Sequence, residues 1–111
     1  MWRVTRLESQ GFHLSETRAG SVAKFANANY GPISAMAGTQ FKVTMTGTGD
    51  PDLHVRFGAA PTTTQYDCRP YTAIAAETCS LTVPVGAPAA YIMVNGYSAA
   101  TFSLTLEYTK P

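Results

Sequence analysis

The chain has 111 residues, of which 14% are charged, and its formal net charge is +1 at pH 7. A chain of this length can bury one core, so we predict a single domain over residues 1–111. The eight Lys and Arg residues are scattered, which argues against the concentrated basic face that binding to nucleic acid requires. No apolar run is long enough to span a membrane. The N-terminus also lacks the apolar core of a signal peptide, so we expect an exported protein to have its leader outside this chain.

Runs in which apolar and polar residues alternate predict β-strands along most of the chain. Clear strands are predicted at residues 41–46, 53–57, 79–83, 90–94 and 102–108, and weaker ones at 2–7, 12–16, 22–30 and 64–69. Turn signals such as Asn95-Gly96 separate them. Eight or nine short strands, with no helix long enough for a crossover, predict an all-β fold, an antiparallel β-sandwich of jelly-roll-like arrangement.

The alternation also predicts which side chains enter the core. In the strand at 53–57 the apolar residues point inward, and His54 and Arg56 point outward to a solvated face or, alternatively, to a ligand. The run at 90–94 is apolar on both faces, which predicts a central strand covered on each side.

The stretch GTGDPD, residues 47–52, precedes one of these strands. Asp50 and Pro51 are typical turn residues, and the Asp50 carboxylate is expected to accept local backbone N–H bonds, with Asp52 at the mouth of the strand. Calcium binding by Asp50 and Asp52 is the weaker alternative, because Ca²⁺ takes six to eight oxygen ligands and few other acids lie nearby.

The two cysteines are Cys68 and Cys79, separated by ten residues that include a proline. We predict that they form a disulfide, which indicates an oxidising compartment. A metal-binding pair is disfavoured because the spacing fits no zinc knuckle, and a nucleophilic cysteine is disfavoured further.

Four motifs in order resemble the bacterial pre-peptidase C-terminal domain family. They are GDPDLHVRFG (49–58), YDCRPY (66–71), ETCSLTVPVG (77–86) and AYIMVNGYS (90–98). The resemblance runs from about residue 30 to 108, and residues 1–20 match less clearly. His54 stands where the family commonly has tyrosine, and Asn95 where it commonly has arginine.

The resemblance implies a jelly-roll-like β-sandwich that is non-catalytic and appended to secreted peptidases or other exported hydrolases. Such domains are thought to assist secretion, to be removed on maturation, or to bind polymeric substrates. Related collagenase domains bind collagen through exposed aromatic residues and hold calcium with acidic residues near their N-terminus. Here that region offers only Glu8 and Glu16, so the metal site is not carried over.

Tyrosines are the best candidates for binding a ligand, because each offers a flat apolar face and a hydroxyl. Candidate ligand-binding residues are Tyr71, Arg69, Tyr66 and Tyr97, together with Arg56 and His54; a purely structural role is the alternative. We predict no catalytic residues, since His13, Ser15 and Glu16 lie on one segment and no Gly-x-Ser-x-Gly elbow occurs.

The sequence therefore predicts a secreted, non-catalytic accessory domain that partners a parent hydrolase, a polymeric extracellular substrate, or both. A free-standing secreted lectin or adhesin of the same fold is the alternative. No cofactor is expected, apart from calcium as the minor alternative above.

Overall fold

The computed structural model describes residues 11–70 and 72–111, and within these ranges it contains β-strands and no helix. The described part thus holds no helix that could cross a membrane. Seven strands are present: β1 (Phe12–Val22), β2 (Asn27–Ser34), β3 (Gln40–Gly47), β4 (Pro51–Phe57), β5 (Glu77–Thr82), β6 (Ala89–Gly96) and β7 (Ala100–Lys110).

The strands form two antiparallel sheets that pack face to face. One sheet has the order β1-β7-β3-β5 and the other the order β2-β6-β4. Successive strands therefore belong to alternate sheets, which is the jelly-roll-like arrangement that the sequence predicted. The prediction of a central strand at 90–94 is also confirmed, because β6 lies between β2 and β4.

The core lies between the sheets and is formed by the inward faces of the period-two strands. Its fully buried side chains include Phe41, Val43, Met45, Leu53, Val55, Ile92, Leu104 and Leu106. The Phe41 ring contacts Phe57 edge-on and also packs against Tyr108, with ring centroids 5.9 Å and 5.5 Å apart. The face assignments predicted for 41–46 and 102–108 are thus confirmed, because side-chain alternation follows from the pleat of the strand.

Strand β4 is an edge strand, and its outer backbone N–H groups are satisfied in three different ways. Leu53 N–H donates to Glu77 Oε1 at 2.7 Å, Val55 N–H to the Cys68 carbonyl at 2.9 Å, and Phe57 N–H to Asp67 Oδ2 at 2.8 Å. An unpaired edge invites pairing with another chain. These contacts close that edge and attach the following loop to β4.

The loop at residues 58–70 and 72–76, which we call the covering segment, explains why the described residues hold seven strands and not eight. A strand was predicted at 64–69, but only an isolated bridge between Cys68 and Val55 forms there. The Cys68–Cys79 disulfide, predicted from the sequence, is present and joins the covering segment to β5. The segment thus runs along β4 without extending the ladder.

Two other predicted strands also need comment. The bounds of the weak strand predicted at 22–30 are wrong, because β1 continues to Val22 and a tight turn separates it from β2, which begins at Asn27. In this turn Phe25 has a positive φ of 65°, a conformation that side chains larger than glycine rarely adopt. The strand predicted at residues 2–7 lies outside the described residues.

Candidate functional site

A cavity of about 400 Å³ opens where the turn before β4, the covering segment and the loop after β6 meet. It is lined by Asp50, Asp52, Arg69, Thr72, Ala73 and Tyr97, and we call it the acidic cavity. Of the candidate residues predicted from the sequence, four therefore lie together: Asp50, Asp52, Arg69 and Tyr97.

Backbone contacts hold the turn of Asp50 against the loop after β6. The Asp50 N–H donates to Ser98 Oγ at 3.0 Å, and its carbonyl accepts from the Tyr97 N–H at 3.1 Å. Gly49 permits this approach, because it has a φ of +70° and a Cβ there would lie 2.6 Å from the Ala99 carbonyl oxygen. The wall of the cavity is thus built from two loops that are hydrogen-bonded to each other.

The carboxylates of Asp50 and Asp52 both have oxygens to which the described residues donate no hydrogen bond. Oδ1 of Asp50 is buried and has no hydrogen-bond partner among the described residues. The hydrogen bonds of the described part include none to the Asp52 carboxylate, although this residue is only 5% exposed. The capping role predicted for Asp50 is therefore not seen at Oδ1, whereas Asp52 lies where it was predicted, at the start of its strand, as the second residue of β4 and paired with Asn95 of β6.

Burial raises the pKa of Asp52 from its ordinary 3.8 to about 6. The negative charges of Glu77 and Asp50 add to this rise, and the positive charge of Arg69 opposes it. A carboxyl group removed from water and placed beside like charges holds its proton more tightly. Asp52 consequently titrates close to neutral pH.

Glu77, by contrast, is a buried acid whose oxygens are well satisfied. Its Oε1 accepts from the Leu53 N–H at 2.7 Å, and its Oε2 accepts from the Thr72 N–H at 3.1 Å and from Thr72 Oγ1 at 2.8 Å. Three donors therefore fix this carboxylate between β4 and the covering segment. The charge of Glu77 acts on Asp52, and its carboxylate has little acceptor capacity left for a ligand.

His54 corrects the prediction of a solvated outward side chain, since only 1% of it is exposed. It does lie on the outer face of β4, but the Tyr66 ring covers it with ring centroids 5.6 Å apart. Its Nδ1 lies 3.1 Å from the Asp52 carbonyl, which can only accept, so Nδ1 carries the proton. Burial lowers the pKa of His54 and favours the neutral ring.

Of the remaining candidate residues, the structure describes Arg69, Tyr66 and Arg56. Arg69 and Tyr66 form a cation–π contact, with the guanidinium carbon 5.9 Å from the ring centroid, and this links Tyr66 to the wall of the cavity. Arg56 is half-buried and donates to the Ala60 carbonyl and to Gln65 Oε1, so it holds the covering segment. Tyr71, the most favoured candidate for exposure, lies outside the described residues.

Within the described residues, no cysteine is free to act as a nucleophile and no histidine is placed as a base beside a hydroxyl group. Both cysteines are in the disulfide, and neither histidine is hydrogen-bonded to a hydroxyl group or a carboxylate in this part of the chain. Within residues 11–70 and 72–111 no three His, Cys, Asp or Glu side chains are grouped to hold a metal ion. What the acidic cavity can do is accept hydrogen bonds from a cationic group.

Sequence reasoning missed Glu77 and Thr72. Glu77 is an isolated acid in an otherwise small and neutral stretch, AIAAET, next to a predicted disulfide cysteine. A lone acid placed there was a usable signal, because a carboxylate beside a buried cysteine needs donors nearby. Its partner Leu53 lies 24 positions earlier, however, and no local pattern indicates that pairing.

These features define a small β-sandwich module with a disulfide-anchored loop and an acidic surface cavity. The chain belongs to the bacterial pre-peptidase C-terminal domain family, whose model matches residues 29–96. A lysozyme inhibitor of g-type lysozyme, the periplasmic PliG of Aeromonas hydrophila, has a similar fold. Its TM-score is 0.62 at 17% identity, over 88% of this chain and 87% of that one.

Proteases are among the relatives that this chain resembles. A zinc metalloprotease of Helicobacter pylori is 50% identical over 52 residues, which are 47% of this chain and 20% of that protein. An extracellular protease of Xanthomonas campestris is also 50% identical over 52 residues, 47% of this chain and 8% of that protein. Alkaline serine exoprotease A of Vibrio alginolyticus is 39% identical over 67 residues, 60% of this chain and 12% of that protein. The chain thus spans a fifth or less of each relative's length.

Proposed function

We propose that this chain is the non-catalytic accessory domain of a secreted bacterial protease, and that it attaches the protease to a polymeric substrate. One observation carries the proposal: similar segments occur in proteases named for different chemistries, a zinc metalloprotease and a serine exoprotease. Zinc hydrolysis requires metal ligands, whereas serine hydrolysis requires an activated hydroxyl. A segment common to both is unsuited to carry either reaction.

An extracellular location fits this role. One relative is named as an extracellular protease, and the chain contains a disulfide, which forms and persists in oxidising compartments. The charged fraction of 14% is also compatible with an extracellular location but is a weaker argument for it. The free-standing lectin or adhesin is disfavoured, because the relatives that match are much longer proteases.

The exposed aromatic rings beside the acidic cavity support substrate attachment over a role in export alone. Tyr97 lines the cavity and is 64% exposed, and Tyr66 is exposed beside Arg69. Aromatic rings supply contact area at low entropic cost. Assistance in secretion or maturation is the second candidate function, but it does not explain why these rings are exposed.

Retention on insoluble polymers tests the proposal. The isolated chain is incubated with insoluble collagen, chitin, cellulose and peptidoglycan, with and without calcium, and the bound fraction is measured. We expect retention on at least one polymer and weaker retention of Tyr97→Ala. The matched control is Phe12→Ala, an exposed aromatic at the start of β1, where it pairs with Lys110 near the end of β7 and does not line the cavity.

Retention on none of the polymers would contradict attachment and favour the role in export. Deleting the segment from a parent protease would then reduce the secreted amount or change its processing. Turnover of peptide substrates by the isolated chain, lost on a single polar substitution, would contradict the non-catalytic assignment. An open reading frame that ends at this segment without a protease would favour the free-standing alternative.

A further inference from the structure

The acidic cavity contains acceptor groups for which the described part of the chain supplies no donor. Asp52 is 5% exposed and carries no hydrogen bond or ion pair on its carboxylate in that part, and Asp50 Oδ1 is buried without a partner. Buried polar groups are normally hydrogen-bonded, and a buried carboxylate without a donor is costly. Both acids line the same cavity. Asp50 Oδ1 is buried without a donor, and the Asp52 carboxylate opens into the cavity, where a ligand can supply one.

The charges around Asp52 favour a cationic ligand. Asp50 comes from the turn, Glu77 from β5 and Arg69 from the covering segment, and all three act on Asp52. Among the described residues, two carboxylates and the saturated Glu77 outnumber the guanidinium of Arg69, which also contacts the Tyr66 ring. The cavity is therefore acidic on balance, and a group with several N–H donors would match it.

The size and rim of the cavity favour an organic cation over a metal ion. About 400 Å³ is within the range of small-molecule sites, whereas calcium requires six to eight oxygen ligands. Tyr97 and Ala73 supply apolar surface at the opening. A flexible aliphatic stem can pack along the Tyr97 ring while its charged end reaches inward.

We propose that the acidic cavity binds the ammonium group of a lysine side chain in a polypeptide substrate, with Asp50 and Asp52 as acceptors and Tyr97 against the stem. The choice of a polypeptide rests on the proposed function, whereas recognition of the ammonium group rests on the cavity itself. Lysine has three donors and a four-carbon stem. It therefore satisfies both carboxylates without requiring a fixed planar geometry.

Nuclear magnetic resonance titration of the ¹⁵N-labelled chain tests this inference. The probe is N-acetyl-lysine methylamide, and its matched control is the norleucine analogue, which has the same stem without the ammonium group. We expect saturable shifts of the Asp52, Thr72 and Tyr97 amides with a dissociation constant on the order of 1 mM, and no saturation with norleucine. Asp52→Asn should weaken binding at least about tenfold, and Glu107→Gln, which removes a charge on β7, should not.

Equal binding of the norleucine analogue would overturn the inference, as would unchanged lysine binding by Asp52→Asn. Saturation of the same amides by calcium alone, or by glucosamine oligomers more tightly than by lysine, would assign the cavity to another ligand. If the chain is retained on collagen but does not bind the lysine probe, the lysine inference fails while the proposed function stands. If the lysine probe binds but no polymer retains the chain, the proposed attachment function fails while lysine recognition by the cavity stands.

Discussion

Replacing Asp52 with asparagine should stabilise the fold, and the gain should grow as the pH rises. Asp52 is buried beside two other acids, so its ionised form is disfavoured in the folded state relative to the unfolded chain. Below the ordinary pKa of 3.8 the carboxyl is protonated in both states and the effect is absent. Between 3.8 and about 6 the unfolded chain ionises first, and stability is lost.

The size of the effect follows from the rise of the Asp52 pKa from 3.8 to about 6. Each pKa unit corresponds to about 1.4 kcal/mol, so ionisation of Asp52 lowers the free energy of unfolding by at most ~3 kcal/mol above pH 6. Because part of the loss has already occurred at about pH 4.5, the change from there to about pH 7.5 is ~2 kcal/mol.

The assay is urea unfolding of wild type and Asp52→Asn at both pH values, with Glu107→Gln as the control. The difference between variant and wild type is the informative quantity, because His54 titrates in the opposite sense. Its pKa is lowered by burial, so its contribution is complete above 6.5 and is lost as the pH falls below that value. A pH-independent difference, or one that shrinks as the pH rises, would refute an unpaired buried Asp52. If Asp52→Asn is more stable than wild type and still loses lysine binding, misfolding is excluded as the cause of that loss.

The other expected effects concern the contacts around the cavity and are measured by urea unfolding. Glu77→Ala should lower the free energy of unfolding by ~3 kcal/mol, since it leaves the buried Leu53 N–H without an acceptor; faster hydrogen exchange at Leu53 should accompany it, and a loss below ~1 kcal/mol would contradict this role. Reduction of the Cys68–Cys79 disulfide should cost ~3 kcal/mol through the entropy of the unfolded chain, and unchanged stability in reductant would argue against it. Phe25→Gly should leave stability unchanged or raise it by up to ~1 kcal/mol, because glycine accepts the φ of 65°; a clear loss would show that the ring packs more tightly than its 71% exposure indicates.

Much of the sandwich could be predicted from local pattern. The alternating runs at 41–46 and 102–108 identified inward residues correctly, because the two faces of a strand follow from the backbone alone. The pairing of Cys68 with Cys79 followed from their count and spacing. The predicted strand at 64–69 failed because backbone pairing there depends on a partner, and only Val55 provides one.

The candidate site was less accessible to such reasoning. Asp50, Asp52, Arg69 and Tyr97 were all named as candidates, but nothing local indicated that they line one cavity. Glu77 was overlooked because its bond to Leu53 crosses from one sheet to the other and its bonds to Thr72 reach the covering segment. The burial of a polar side chain depends on what covers it, and the covering element can lie far away in sequence.

His54 and Asp52 show which properties follow from the sequence alone and which depend on the tertiary structure. By itself the sequence determined that both side chains leave the core face of β4, since they alternate with Leu53 and Val55. Only the tertiary structure decided that this outer face is dry at His54 and acidic at Asp52, because the covering segment lays Tyr66 over His54 and folding brings the charge of Glu77 close to Asp52. Alternation is a property of a single strand, whereas solvent access and charge balance are set by segments that meet only when the chain folds.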